Sequence, residues 1–128
     1  MKIEHVAFNV ADPVAMGQWY VEHLGFHVKR RITEPPYTQF LADDSGTVMI
    51  EIYGNPDAPV PPYRNMNPFE LHLAMVSNDV EADIRRLTAA GATQVGETQS
   101  TSAGDQLAML QDPWGLTVQL VSRSSPMV

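Results

Sequence analysis

The sequence predicts an α+β fold made of two copies of one module, each a strand, a helix and three further strands. Three observations carry that expectation. Residues recur at a nearly constant offset: His5 and His72, Ala7 and Ala74, and Asp12 and Asp79 are each 67 positions apart, Gly25 and Gly91 are 66 apart, and Glu51 and Gln119 are 68 apart. Recurrence in register over this many positions marks a duplicated supersecondary unit. Each half also holds one helical apolar stripe between strand-like stretches, which suits a helix layered on a small sheet. Finally, half of the ten prolines fall between Gly54 and Pro68, where missing backbone donors and a fixed φ leave only a long loop. The resulting divisions are 1–54 for module one, 55–68 for the loop, 69–123 for module two and 124–128 for a short tail, all within a single domain.

The first module opens with an apolar-rich strand from Ile3 to Val10. Asp12-Pro13 then supplies an N-cap and a proline at the first helical position. Met16, Trp19, Tyr20, His23 and Leu24 follow at helical spacing, and Gly25 ends the helix. Strands are expected from Phe26 to Thr33, Tyr37 to Ala42 and Thr47 to Tyr53, separated by Pro35-Pro36 and by Asp43-Asp44-Ser45-Gly46. The second module repeats the order. Phe69 to Val76 is its first strand, Asp79 caps a helix with the stripe Val80, Ile84 and Leu87, and Gly91 stops it. Thr93 to Gly96, Gln106 to Leu110 and Leu116 to Val121 complete it, the last two joined through the turn Asp112-Pro113-Trp114-Gly115.

Composition narrows the function classes. The chain has no cysteine, so disulfide scaffolds, thiolate metal sites and thiol nucleophiles are excluded. Its net charge of −7 is a poor balance for gripping phosphate backbones, so no nucleic-acid partner is expected. No apolar run approaches the length of a membrane span, and the N-terminus lacks the apolar segment of a signal peptide. A cytoplasmic globular protein is the expectation. The 55–68 loop is long enough to be a binding element, and reads equally well as a tether.

Strand side chains alternate between faces. Val6, Phe8 and Val10 face one way, leaving His5, Ala7 and Asn9 on the other. Val48, Ile50 and Ile52 point inward, leaving Met49, Glu51 and Tyr53 opposite. Leu71, Leu73 and Met75 suit the helix-packed face, against Glu70, His72 and Ala74. In the last strand Leu116, Val118 and Leu120 leave Thr117 and Gln119 opposite. Each module therefore offers one histidine and one carboxylate or amide on the face its helix does not cover. Singly, each has an ordinary explanation as a hydrogen-bonded or solvated strand residue. As a repeated set, His5, Glu51, His72 and Gln119 offer two imidazoles, a carboxylate and an amide oxygen, which suits a divalent cation of intermediate hardness.

The stretches IEHVAFNVAD, WYVEHLGF, VMIEIYGN, ELHLAMVSNDV and QDPWGLTVQLVS span nearly the whole chain. In that order they resemble the vicinal oxygen chelate superfamily, which includes glyoxalase I, bleomycin-resistance proteins, fosfomycin-resistance enzymes and extradiol dioxygenases. The resemblance implies paired βαβββ modules forming an open, curled β-sheet cleft, and metal ligands from the first and last strands of each module. Those positions are His5, Glu51, His72 and Gln119, the four already reached from alternation and repeat. It further implies a divalent metal ion (Zn, Ni, Co, Mn or Fe), a small-molecule substrate or ligand, and a homodimer whose site forms within one chain or across two.

Two departures shape the expected chemistry. The fourth ligand position, typically Glu in glyoxalase I and the fosfomycin enzymes, is Gln119, leaving Glu51 as the sole anionic donor. Asn9 stands where glyoxalase-like enzymes carry a glutathione-binding Arg, and the stretch 97–106 has no Lys or Arg, although Asn55 does match. Glutathione is therefore not the expected co-substrate. The leading expectation is metal-assisted proton transfer, a glyoxalase-, lyase- or isomerase-like step on a small oxygenated molecule, with Glu51 as ligand and proton shuttle. The alternative is a non-catalytic protein that sequesters a cationic or aromatic ligand, like the bleomycin-binding relatives. A third is an extradiol-type dioxygenase using His5, His72 and Glu51. Asn9, Tyr53, Asn55 and Arg64 are further candidates for contact with substrate, Arg64 as an anchor for an anionic group. Trp19 and Tyr20 are expected in the core, His23 and His27 at the surface, Lys29-Arg30-Arg31 on a solvated strand edge, and Trp114 in packing or binding alike.

Overall fold

A computed structural model describes residues 1–127, so the last residue of the expected 124–128 tail lies outside the described residues. The chain forms two compact units, Met1–Pro61 and a second from Pro62 onward, and the division falls inside the proline-rich loop. The first unit runs β1 (His5–Asn9), α1 (Pro13–Leu24), β2 (His27–Arg31), β3 (Gln39–Ala42) and β4 (Met49–Tyr53). The second runs β5 (Leu73–Val76), α2 (Val80–Ala89), β6 (Thr93–Ser100), β7 (Gln106–Gln111) and β8 (Thr117–Ser122). Each unit is one helix on one open four-stranded sheet, ordered β1-β4-β3-β2 in the first and β5-β8-β7-β6 in the second. In both, the first and last strands pair in parallel and the others antiparallel. The repeat seen in the sequence is thus a repeat of topology.

Local chemistry sets the helix ends. The Asp12 carboxylate accepts from the Ala15 N–H at 3.0 Å, and Pro13 follows it. Gly25 then takes a left-handed conformation (φ 75°) in which its N–H reaches the Tyr20 carbonyl, a geometry glycine adopts without steric cost. Asp79 caps α2 in the same way through the Ala82 N–H at 2.9 Å. The stripe of α1 buries Met16, Trp19 and Tyr20 against β3 and β4, where Leu41, Ile50 and Ile52 are also buried. Val80, Ile84 and Leu87 do the same for α2 over Ala108, Leu110, Val118 and Leu120. Edge strand β2 is exposed throughout, with Lys29, Arg30 and Arg31 in solvent.

Strand limits differ from expectation at informative places. The strand expected from Phe69 begins only at Leu73, because residues 67–70 close a turn. Glu70 N–H donates to the Asn67 carbonyl at 2.8 Å, and the Asn67 side chain accepts from Phe69 N–H. The strand expected to stop at Gly96 continues to Ser100 through a bulge at Gly96, whose φ is +72°. Val48 is exposed rather than inward, since the β1–β4 ladder starts at the His5–Met49 pair. The long loop contains a single 3-10 turn, Tyr63–Asn65, with Tyr63 buried.

Candidate metal and ligand site

In the first unit Glu51 stands directly beside Ala7 across the parallel β1–β4 ladder, and His5 is two residues back on the same face. The short Ala7 side chain leaves His5 and Glu51 free to meet, and His5 Nε2 lies 3.2 Å from Glu51 Oε2. The ring is braced edge-on against Phe40, centroid to centroid 5.6 Å, and Phe40 is in turn the β3 neighbour of Glu51. On its other side His5 Nδ1 is 2.7 Å from Glu4 Oε2. Glu4 was not among the residues singled out from the sequence. A strand beginning at Ile3 would turn Glu4 to the opposite face, but β1 begins at His5, which frees Glu4 from alternation.

The second unit repeats the arrangement in register. Gln119 stands directly beside Ala74 across the parallel β5–β8 ladder, and His72 is two residues before Ala74. His72 is exposed, just ahead of β5, and its Nδ1 donates to the Pro68 carbonyl at 2.8 Å. A carbonyl can only accept, so Nδ1 carries the proton and Nε2 of the neutral ring keeps a lone pair. Half-buried Gln119 lines a cavity of about 340 Å³ together with Phe69, Val95, Leu107 and Met109.

One pair of the donors, His5 and Glu51, fits a divalent ion. Two ligands about 2.1 Å from one ion, at tetrahedral or octahedral angles, stand about 3.0–3.4 Å apart, and the His5–Glu51 separation falls in that range. Each histidine has its Nδ1 held by an oxygen, the usual support of a metal-binding Nε2. Among the described residues, no three His, Cys, Asp or Glu side chains are grouped so as to hold an ion. The structure therefore joins His5 to Glu51 directly, and places His72 and Gln119 at the matching register of the other unit.

The substrate candidates have structural ties of their own. Asn9, only 9% exposed, donates to the carbonyls of Asn55 (3.2 Å) and Ala58 (2.8 Å) and accepts from Asn55 N–H (2.8 Å). It thereby fastens the start of the proline-rich loop to the end of β1. Tyr53 is half-buried and pairs with Asn9 in the ladder. The Arg64 guanidinium donates to the Pro113 carbonyl at 2.7 Å, while its own carbonyl accepts from Gln111 Nε2. Arg64 thus clasps the turn that carries Trp114. Trp19 and Tyr20 are buried, as expected.

A family model for the glyoxalase/bleomycin resistance protein/dioxygenase superfamily matches residues 2–120. The chain belongs to this superfamily. Solved structures within and around the superfamily share its fold. SMU.1112c is 32% identical, with 94% of this chain and 98% of that one covered and a TM-score of 0.71. TnmS3, an antibiotic binding protein from Streptomyces sp. CB03234, is 21% identical over 97% of each chain, with a TM-score of 0.71. A glyoxalase-related enzyme from Fulvimarina pelagi is 18% identical, covering 96% of this chain and 88% of its own, again with a TM-score of 0.71. No curated protein matches the sequence. As in the fold itself, superfamily membership leaves the activity to be argued from the side chains. No helix among the described residues is long and apolar enough to cross a membrane.

Proposed function

We propose that this superfamily member is a cytoplasmic, metal-dependent enzyme catalysing proton transfer on a small oxygenated substrate. Its donor set is the His5–Glu51 pair and the His72–Gln119 pair, drawn from one chain or from two in a homodimer. The observation that carries the proposal is the His5 Nε2–Glu51 Oε2 approach of 3.2 Å, with His5 Nδ1 held by Glu4. Held by these donors, a divalent ion would supply Lewis acidity to substrate oxygens, which would make the neighbouring C–H more acidic. Glu51 is the base of this donor set, and the carboxylate oxygen not turned toward His5 accepts and returns the proton. Glu4 and the Pro68 carbonyl orient the two imidazoles. Gln119 adds an oxygen donor without charge, which leaves the Lewis acid less neutralised than a second carboxylate would.

Metal-stripped protein reconstituted separately with Zn, Ni, Co, Mn and Fe tests this. The expected result is retention of one ion per set of four donors, with metal-dependent exchange of the carbon-bound proton of a small hydroxyketone into D2O, followed by NMR. Failure to retain any of the five ions, with unchanged small-molecule binding in the double variant His5→Ala plus His72→Ala, overturns it.

A second reading, sequestration of a small molecule without turnover, is supported by the apolar-walled cavity beside Gln119 and by the likeness to TnmS3. Stoichiometric, metal-independent binding without proton exchange would favour it.

A further inference from the structure

We infer that the cavity of the second unit is a recognition site for a flat aromatic group bearing a positive charge, with Phe69 as its stacking surface and Glu97 as its counter-charge. The inference rests on the small-molecule reading shared by both proposals above, and not on the metal. Leu107, Met109 and Gln119 all point to the face of the sheet that α2 does not cover. Their neighbours on the other face, Ala108, Leu110, Val118 and Leu120, are the ones buried. The resulting volume of about 340 Å³ lies at the small end of the range for ligand sites.

Two irregular pieces of backbone complete the cavity, and both are held open by specific bonds. Phe69 is 80% exposed, an expensive state for a bare phenyl ring. It is kept there by the turn that ended the expected strand early. Asn67 Oδ1 accepts from Phe69 N–H at 3.0 Å, Glu70 Oε2 accepts from Asn67 N–H at 3.0 Å, and Glu70 N–H donates to the Asn67 carbonyl at 2.8 Å. The three hydrogen bonds fix the backbone of the turn that presents the ring to solvent, which leaves the phenyl face available for contact. On the opposite rim, Val95 pairs with Met109 and Gln99 with Leu107, so Gly96, Glu97 and Thr98 all stand opposite Ala108 alone. This bulge turns on the positive φ of Gly96 and is anchored to α2 by the Thr98 hydroxyl on Glu81 Oε1 at 2.9 Å. A bulge re-aims side chains that a regular strand would alternate.

The charge pattern then selects the ligand. Of the described residues lining the cavity, Glu97 is the only one that ionises, and the whole chain is acidic at −7. An anion would enter against Glu97 with no cation to receive it. A cationic aromatic ring meets a carboxylate, a phenyl face and the polarisable thioether of Met109 together. Gln119 lies in the same wall, so the group recognised here continues toward one of the proposed metal donors.

Isothermal titration of metal-free, chelator-treated protein with naphthylmethylamine, naphthylmethanol and naphthoate tests the assignment. The amine should bind about two- to five-fold more tightly than the alcohol, and naphthoate more weakly than both. Glu97→Gln should erase the preference for the amine while leaving the alcohol unchanged. Phe69→Ala should weaken amine and alcohol alike, about five-fold, and Phe69→Leu should fail to restore them because it returns bulk without a ring. Equal affinities for the three probes, no detectable binding, or a preference that survives Glu97→Gln would overturn the inference. Repeating the titration with His5→Ala separates the two proposals. If that variant keeps the probe preference while metal retention fails in the wild type, the enzyme reading falls and this one stands.

Discussion

His5 Nε2 lies 3.2 Å from Glu51 Oε2, while Nδ1 of the same ring lies 2.7 Å from Glu4 Oε2. Both ring nitrogens face carboxylate oxygens, yet a neutral imidazole has only one N–H to offer. In the metal site proposed above, Nδ1–H would be donated to Glu4, which would leave the Nε2 lone pair and Glu51 as the two donors on this unit. Glu4 is thus a positioning residue for the proposed metal. Glu4→Gln should weaken metal affinity about tenfold without removing a ligand, whereas Glu51→Gln should abolish tight binding. A competition titration against a coloured chelator reads both; equal affinities in wild type and Glu4→Gln would remove Glu4 from the account.

Asn9 ties residues 55–58 to the end of β1 through three hydrogen bonds. Asn9→Ala leaves those backbone groups to solvent and should lower stability by about 1–3 kcal/mol. The more specific consequence is local. Limited proteolysis should cut between Asn55 and Val60 faster in the variant than its change in global stability explains. Unchanged cleavage there would show that the prolines alone hold the loop.

Gly115 and Gly96 both have positive φ, at +95° and +72°. Only at Gly115 is there also no room: an added Cβ would lie 2.7 Å from the Arg64 backbone, while at Gly96 nothing stands within 4 Å. Gly96→Ala should therefore cost about 1–2 kcal/mol, the strain of the left-handed conformation alone. Gly115→Ala should cost about 3 kcal/mol or more, because the strap carrying Arg64 must also move. Urea denaturation midpoints separate the two, and similar losses would mean the strap yields easily.

Asp83 accepts from the Ser77 hydroxyl at 2.6 Å and from Arg86 at 2.7 Å. Burial works to raise its pKa, but the bonds from Ser77 and Arg86 and the charge of Arg86 outweigh it, so the carboxyl lies below its ordinary value of 3.8. A carboxylate depressed in the folded state contributes stability above its unfolded pKa and loses it as pH falls through the folded one. Asp83→Asn should thus cost about 0.5–1 kcal/mol near neutrality, a figure kept small because Arg86 is half in solvent. That cost should fade below pH 3.8. A cost that stays constant into acid would assign the effect to packing.

Some of these features were legible residue by residue. The offset that aligns His5 with His72 and Asp12 with Asp79 became two sheets of identical strand order. The Asp12 and Asp79 caps and the Gly25 stop were readable because caps act within one helical turn. Alternation likewise put His5 and Glu51 on one face. Other features were hidden because a local rule was overridden. Phe69 fits a strand by propensity, but the hydrogen bonds between Asn67 and Glu70 close a turn and leave the ring in the open. Glu97 falls just beyond the strand that the sequence ends at Gly96, and only the ladder shows the strand resuming at Gln99.

The sequence by itself determined the module, its repetition, the helix ends and the buried stripes, all of which are written in spacings of a few residues. Tertiary structure alone decided that Ala7 pairs with Glu51 and Ala74 with Gln119, that Glu4 reaches His5, and that Asn9 grips a segment 46 residues away. The physical reason is range. Periodicity and capping are energies of neighbouring residues, whereas register and side-chain convergence arise when distant strands settle into the one pairing that buries their apolar faces together.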